Sequence, residues 1–154
     1  MTITNHLLAG AVIGLTLNNQ PVAALVLAFA SHFLMDALPH FGYAGNKGFS
    51  EVFKHKLSYI VGVITFISTA TVLVFLVMHQ AWFAILAGIV AALPDAVGWY
   101  NWVAYEKKGR TASRGLALLH VKFHRRIQKF ERPWGIYIEV ATFGLLGWLL
   151  LQIL

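Results

Sequence analysis

The residues of this chain able to do chemistry are histidines and aspartates set inside otherwise apolar runs. In Ser31-His32-Phe33-Leu34-Met35-Asp36-Ala37-Leu38-Pro39-His40, His32 and Asp36 stand four apart, so on a helix they share one face and can reach a common ion. An ionisable pair inside a membrane span costs several kcal/mol unless it is partnered, which makes it a functional candidate by default. Asp36 also falls near the predicted C-terminus of its helix, where the macrodipole disfavours an anion and a bound cation would remove the conflict. The competing reading is that His32 and Asp36 act as hydrogen-bonding glue between helices. His40, beyond the Pro39 break, reads either as a further ligand or as a surface residue.

His6 lies one or two turns into the first apolar run and matches Asp36 in expected depth. It reads as a metal ligand, or as an interhelical donor with its needs met. Asp95 follows Pro94 and has two readings, as a site carboxylate or as the N-cap of a short helix from Ala96 to Tyr105. His120 and His124 repeat the four-residue spacing beside an apolar stripe. His124 is expected to give or take a proton, whereas His120 stays open between the site and a lipid-binding face. Arg125, Arg126 and Lys129 could hold phosphate charge, as cationic clamps do. Glu139, about one turn into the last run, gains from a helix N-terminus, and that placement also aims it at the site.

Histidines with carboxylates suit Zn, Fe or Mn and can leave a coordination position open for water. The chain has no cysteine, which excludes disulfides and thiolate ligands. It carries no Gly-x-Ser-x-Gly elbow, Walker loop or dinucleotide fingerprint.

Positioning these residues falls to membrane helices. The chain is 58% hydrophobic and 12% charged, against about 25% charged in a water-soluble domain. Its apolar runs are Ile3 to Leu17, Pro21 to Leu38, Leu57 to Met78, Ala81 to Leu93 continuing towards Val103, and Trp134 to Leu154. The expected fold is all-α: one integral domain of residues 1–154 with about five transmembrane helices, arranged as hairpins 3–38 and 57–103 and a last span 134–154. Leu116, Leu119, Phe123, Ile127 and Phe130 recur at helical spacing among basic residues, predicting an amphipathic interfacial helix over 116–130. Pro39 and Pro94 are each expected to break a helix at the same depth, as in a duplicated hairpin.

All Lys and Arg lie within residues 36–56 and 95–132, so the positive-inside rule puts those segments, and the N-terminus, in the cytoplasm and the C-terminus outside. In that arrangement His6, His32, Asp36, His40, Asp95, His120, His124 and Glu139 gather near one face of an inner membrane. The net charge of +6 reads first as topology and then as attraction to anionic lipids, not as nucleic-acid binding.

His6-Leu7-Leu8, Ser31-His32 with Asp36 four residues on, Leu93-Pro94-Asp95 and His124-Arg125 together resemble the YdjM-like membrane-bound metal-dependent hydrolases of bacteria and archaea. That resemblance implies a polytopic inner-membrane protein with His and Asp ligands. Asp95 is followed here by Ala96-Val97-Gly98 rather than a further Asp-His, so it implies one metal rather than two, held by some of His6, His32, Asp36, His40 and Asp95. The expected function is hydrolysis of a lipid or phosphoester at the cytoplasmic interface. The alternative is a non-enzymatic membrane protein, either a packing subunit of a complex or an ion or metal permease; the partners expected are membrane lipids, with a homo-oligomer as a further partner expectation. Gly10, Gly14, Gly144 and Gly147 would serve close helix packing in a subunit of that kind.

Overall fold

The computed structural model describes residues 1–42, 56–104, 122, 126 and 130–154. Among them, five α-helices follow one another: α1 Ile3–Thr16, α2 Pro21–Asp36, α3 Lys56–Met78, α4 Trp82–Ala104 and α5 Ile136–Ile153, the last entered through a 3₁₀ turn at Pro133–Gly135. The all-α class therefore holds. Outside the helices, an isolated parallel bridge joins Phe41 to Arg132.

Turn chemistry sets the two hairpins. Pro21 opens α2, where its missing N–H falls on a position with no intrahelical partner. Between α3 and α4 the chain reverses at Gln80, whose φ of 55° is left-handed, and the Ala81 N–H returns to the Leu76 carbonyl at 2.9 Å. Such helix-ending turns usually take glycine.

Three helices, Lys56–Met78, Trp82–Tyr100 and Pro133–Ile153, are long and apolar enough to cross a membrane. The expected count of five is reached only by adding α1 and α2, which have 14 and 16 residues. At the helical rise they extend about 21 and 24 Å, against a hydrocarbon layer of about 30 Å. Large apolar side chains such as Ile64, Phe66, Val140 and Leu151 are exposed on α3 and α5. A surface of that kind is compatible with a membrane.

The shortest helix is the hub. α1 packs against every other helix, and Thr4 to Ala11 together with Gly14 are buried. Its closest crossing is with α4. A Cβ on Gly10 would collide with the Ala87 carbonyl and stand 2.7 Å from Gly88 Cα, and one on Gly88 would stand 2.8 Å from the Leu7 carbonyl. Thr4 adds a polar tie to α3, with its hydroxyl 3.0 Å from the Thr65 carbonyl and 2.7 Å from Thr69 Oγ1.

Two expectations are corrected. Pro94 does not break its helix, because α4 runs unbroken to Ala104. One missing N–H costs a single ladder bond, and a helix packed against neighbours tolerates that. The Pro39 break does occur, after α2 ends at Asp36, so the two hairpins are not alike. Among the described residues, a Cβ on Gly144 or Gly147 would meet nothing within 4 Å, so this face of α5 is open.

Gly10→Ala is expected to lower the thermal unfolding midpoint in detergent, by the equivalent of the roughly 1–3 kcal/mol typical of overpacking. Gly144→Ala should leave it unchanged or slightly raised, since alanine is the better helix former by about 0.5–1 kcal/mol. Equal losses from both substitutions would contradict the crossing described here.

Candidate metal centre

Three rows of small residues lead to one point. On α1 the inward row is Gly14, Gly10 and then His6; on α2 it is Ala24, Ala28, His32 and Asp36; on α4 it is Ala84, Gly88, Ala91 and Asp95. Ala24, Ala28, Ala87 and Ala91 are wholly buried. Where the small side chains end, the bulk of an imidazole or carboxylate fills the space between the same three helices.

Ligand atoms of His6, His32, Asp36 and Asp95 all lie within 4.8 Å of one another. His6 Nε2 is 3.1 Å from Asp36 Oδ1 and 3.9 Å from Asp95 Oδ2. His32 Nε2 is 3.3 Å from Asp36 Oδ2 and 4.0 Å from Asp95 Oδ1. The two imidazole rings lie 4.1 Å apart at 30°. A zinc ion about 2.0–2.1 Å from each ligand at the tetrahedral angle sets neighbouring ligands about 3.3 Å apart, so the two short separations already have coordination spacing.

Hydrogen-bond direction strengthens the case for a cation. His32 Nδ1 is 3.1 Å from the Ala91 carbonyl, which can only accept, so Nδ1 carries the proton. In the neutral ring Nε2 is then a lone pair facing a carboxylate oxygen. Two acceptors at 3.3 Å repel unless a positive charge lies between them. A proton would serve two atoms, whereas here four converge. Fixing the outer nitrogen of a histidine on a carbonyl is also how ligating histidines are oriented.

Charge leads the same way. Asp36 is buried and Asp95 partly so, and a carboxylate taken out of water costs several kcal/mol unless it is paired; a divalent ion held between the two would neutralise both. The Met1 ammonium, which donates to Asp36 Oδ1 at 2.5 Å, supplies one positive charge at the same carboxylate. His6, His32 and Asp36 are enclosed, while the Asp95 side chain keeps 27% of its surface exposed. Asp95 is therefore the open side of the group. Because α4 continues through Pro94, Asp95 is presented from a helix interior, and its reading as an N-cap falls.

His40, expected as a ligand, is not one of the four converging residues. It follows the end of α2 and turns aside, with Nδ1 2.8 Å from the Leu38 carbonyl and Nε2 3.9 Å from Glu131 Oε1. Gly135 packs on its backbone so closely that a Cβ would stand 2.7 Å from the Phe41 nitrogen. Glu139 is buried but holds Thr2 and Asn5 instead of the group. Arg126 is helical and exposed, as is Lys122. His120, His124, Arg125 and Lys129 lie outside the described residues. Sequence reasoning missed the Ala91 carbonyl and the contacts of Thr2, Asn5 and Glu131, because none has a spacing signature. No family model, curated protein or solved structure matches the chain.

Burial holds the His40 imidazole below its ordinary 6.5, with the nearby amino terminus adding to the effect and the Leu38 carbonyl, Asp36 and Glu139 opposing it. Protonation of His40 therefore costs the folded state more than the unfolded one. Its contribution to stability is complete above 6.5 and is lost as pH falls through the lowered value. His40→Asn keeps a donor for the Leu38 carbonyl without a titrating ring. Relative to wild type, its unfolding midpoint should gain as pH drops from about 7 to about 5. A constant difference across that range would refute the assignment.

Proposed function

We propose that the chain is a membrane-embedded hydrolase that holds one divalent ion, Zn, Mn or Fe, on His6, His32, Asp36 and Asp95 and cleaves an ester at the cytoplasmic face of the inner membrane. The observation that carries this reading is the convergence of two imidazoles and two carboxylates on one point, enclosed on three sides and open beside Asp95. When bound, the ion supplies Lewis-acid activation of water and of an ester oxygen. The chain's own part is to orient His32 through the Ala91 carbonyl, to exclude water on the α1 and α2 side, and to offer Asp95 for proton transfer.

A lipid phosphoester is the substrate class best suited to that opening. Tyr59, Trp99, Tyr100, Trp134 and Tyr137 are exposed around the end of the bundle that contains the group, and Trp82 and Trp148 around the other. Paired aromatic belts mark membrane–water interfaces, which supports an opening at headgroup level. The positive-inside pattern makes that end cytoplasmic. His124 as proton donor or acceptor, and Arg125, Arg126 and Lys129 as phosphate clamp, complete the reading from the sequence, which is also the reading that the YdjM-like resemblance implies.

One observation favours a second reading, a non-enzymatic subunit. Gly144 and Gly147 leave an open small-residue track on α5, which a partner helix or a second copy could fill. That reading gives no role to the four converging groups.

Purified full-length protein should carry about one equivalent of transition metal, and Asp36→Asn, which keeps the side chain's shape, should weaken binding by more than the roughly 10–100-fold lost when only an outer partner of a ligand is removed. Metal-loaded wild type should hydrolyse a lipid phosphate presented in mixed micelles, and the variant should not. A metal-free wild type, or activity untouched in Asp36→Asn, rejects the proposal.

A further inference from the structure

Glu139 is the one described carboxylate inside the bundle that takes no part in the converging group, and its surroundings assign it a different task. It lies in the first turn of α5 and is buried. Its two oxygens accept the Thr2 N–H at 3.1 and 3.0 Å, the Thr2 hydroxyl at 2.9 Å and the Asn5 amide at 2.7 Å. The Asn5 amide also reaches the Glu139 carbonyl at 3.1 Å. Every one of these bonds ends on the first turn of α1.

Thr2 is the N-cap of α1, yet its side chain makes no capping bond of its own. A carboxylate from α5 instead accepts the Thr2 N–H, one of the amides at the start of α1 with no intrahelical partner, where the dipole favours negative charge. The Asn5 side-chain amide is gripped by the carboxylate and the backbone carbonyl of Glu139 together, which constrains the rotation of α1 about its axis. His6 is the next residue. A helix turns by about 100° per residue, so a small rotation at Asn5 swings the imidazole out of line with Asp36 and Asp95.

We infer that Glu139 is a positioning residue: by clamping Thr2 and Asn5 it sets the rotation of α1 and aims His6 at the ion. The inference rests on the metal reading above and adds that its geometry is held from α5, a helix that gives no ligand. The clamp has near-full occupancy, with donors on both oxygens, so Glu139 has little capacity left to ligate.

The test is titration of full-length protein in detergent with Co²⁺ alone, reading both affinity and the ligand-field absorption of the bound ion. Glu139→Gln replaces one accepting oxygen with an NH₂ that cannot accept from Thr2 or Asn5. It is expected to weaken Co²⁺ by about 10–100-fold and to shift the absorption bands, which report coordination geometry and not global stability. Thr2→Val should do the same more weakly, and Thr2→Ser, which keeps the hydroxyl, should restore wild-type values. Should Glu139→Gln fail to fold, the Thr2 pair carries the comparison. Unchanged affinity and spectrum in Glu139→Gln, or in Thr2→Val, overturns the inference while leaving the metal reading intact. No Co²⁺ binding by wild type overturns both.

Discussion

Close approach of α1 to α4 is the constraint on which the rest of the molecule depends. With glycine at positions 10 and 88, the backbones meet with no side chain between them. His6 stands one turn from that contact on α1, and Asp95 two turns from it on α4. At a crossing so tight, side chains one or two turns away are still within reach of a common point. A methyl group at the contact would push the helices apart and open the ligand separations of 3.1–4.0 Å beyond coordination range. Packing and chemistry are thus properties of the same rows of residues: small where helices must touch, ionisable where the row ends.

The electrostatics of that end would be untenable in an apolar bundle without compensation. Asp36 and Asp95 face the same two imidazoles, and His32 has committed its Nδ1 proton to the Ala91 carbonyl. The His32 Nε2 lone pair and the two carboxylates are directed at the centre, where His6 Nε2 and the Met1 ammonium also meet Asp36 Oδ1. A divalent cation bound there would answer this charge at once, and Asp95, 27% exposed, is the open side of the group. Zinc, manganese and iron each tolerate nitrogen and oxygen ligands in such a set.

Support for this arrangement is distributed over the bundle. α1 contributes His6 to the converging group and makes hydrogen bonds from Thr4 to α3 and from Thr2 and Asn5 to α5. His40, Phe41 and Gly42 lie along Arg132, where the Gly42 N–H reaches the Arg132 carbonyl at 3.3 Å and the Arg132 N–H reaches the His40 carbonyl at 2.9 Å. These ties bind the chain following α2 to the chain entering α5 beside the centre. A helix too short to cross the hydrocarbon layer by itself is held by neighbours on every side.

Much was determined by the sequence alone. Hydropathy located the apolar segments, because burial in lipid demands long apolar runs. The four-residue spacing placed His32 and Asp36 together, since helical periodicity is local. Depth matching associated His6 and Asp95 with them. Only the tertiary structure decided which residues meet. It turned His40 aside after Pro39, carried α4 through Pro94 so that Asp95 projects from a helix and not from a cap, and assigned close packing to Gly10 and Gly88 while leaving Gly144 and Gly147 open. It also gave Glu139 to Thr2 and Asn5. Residues separated by more than a hundred positions carry no periodicity that links them; their meeting is fixed by the angle and rotation at which helices pack, and those follow from side-chain volumes across the interface.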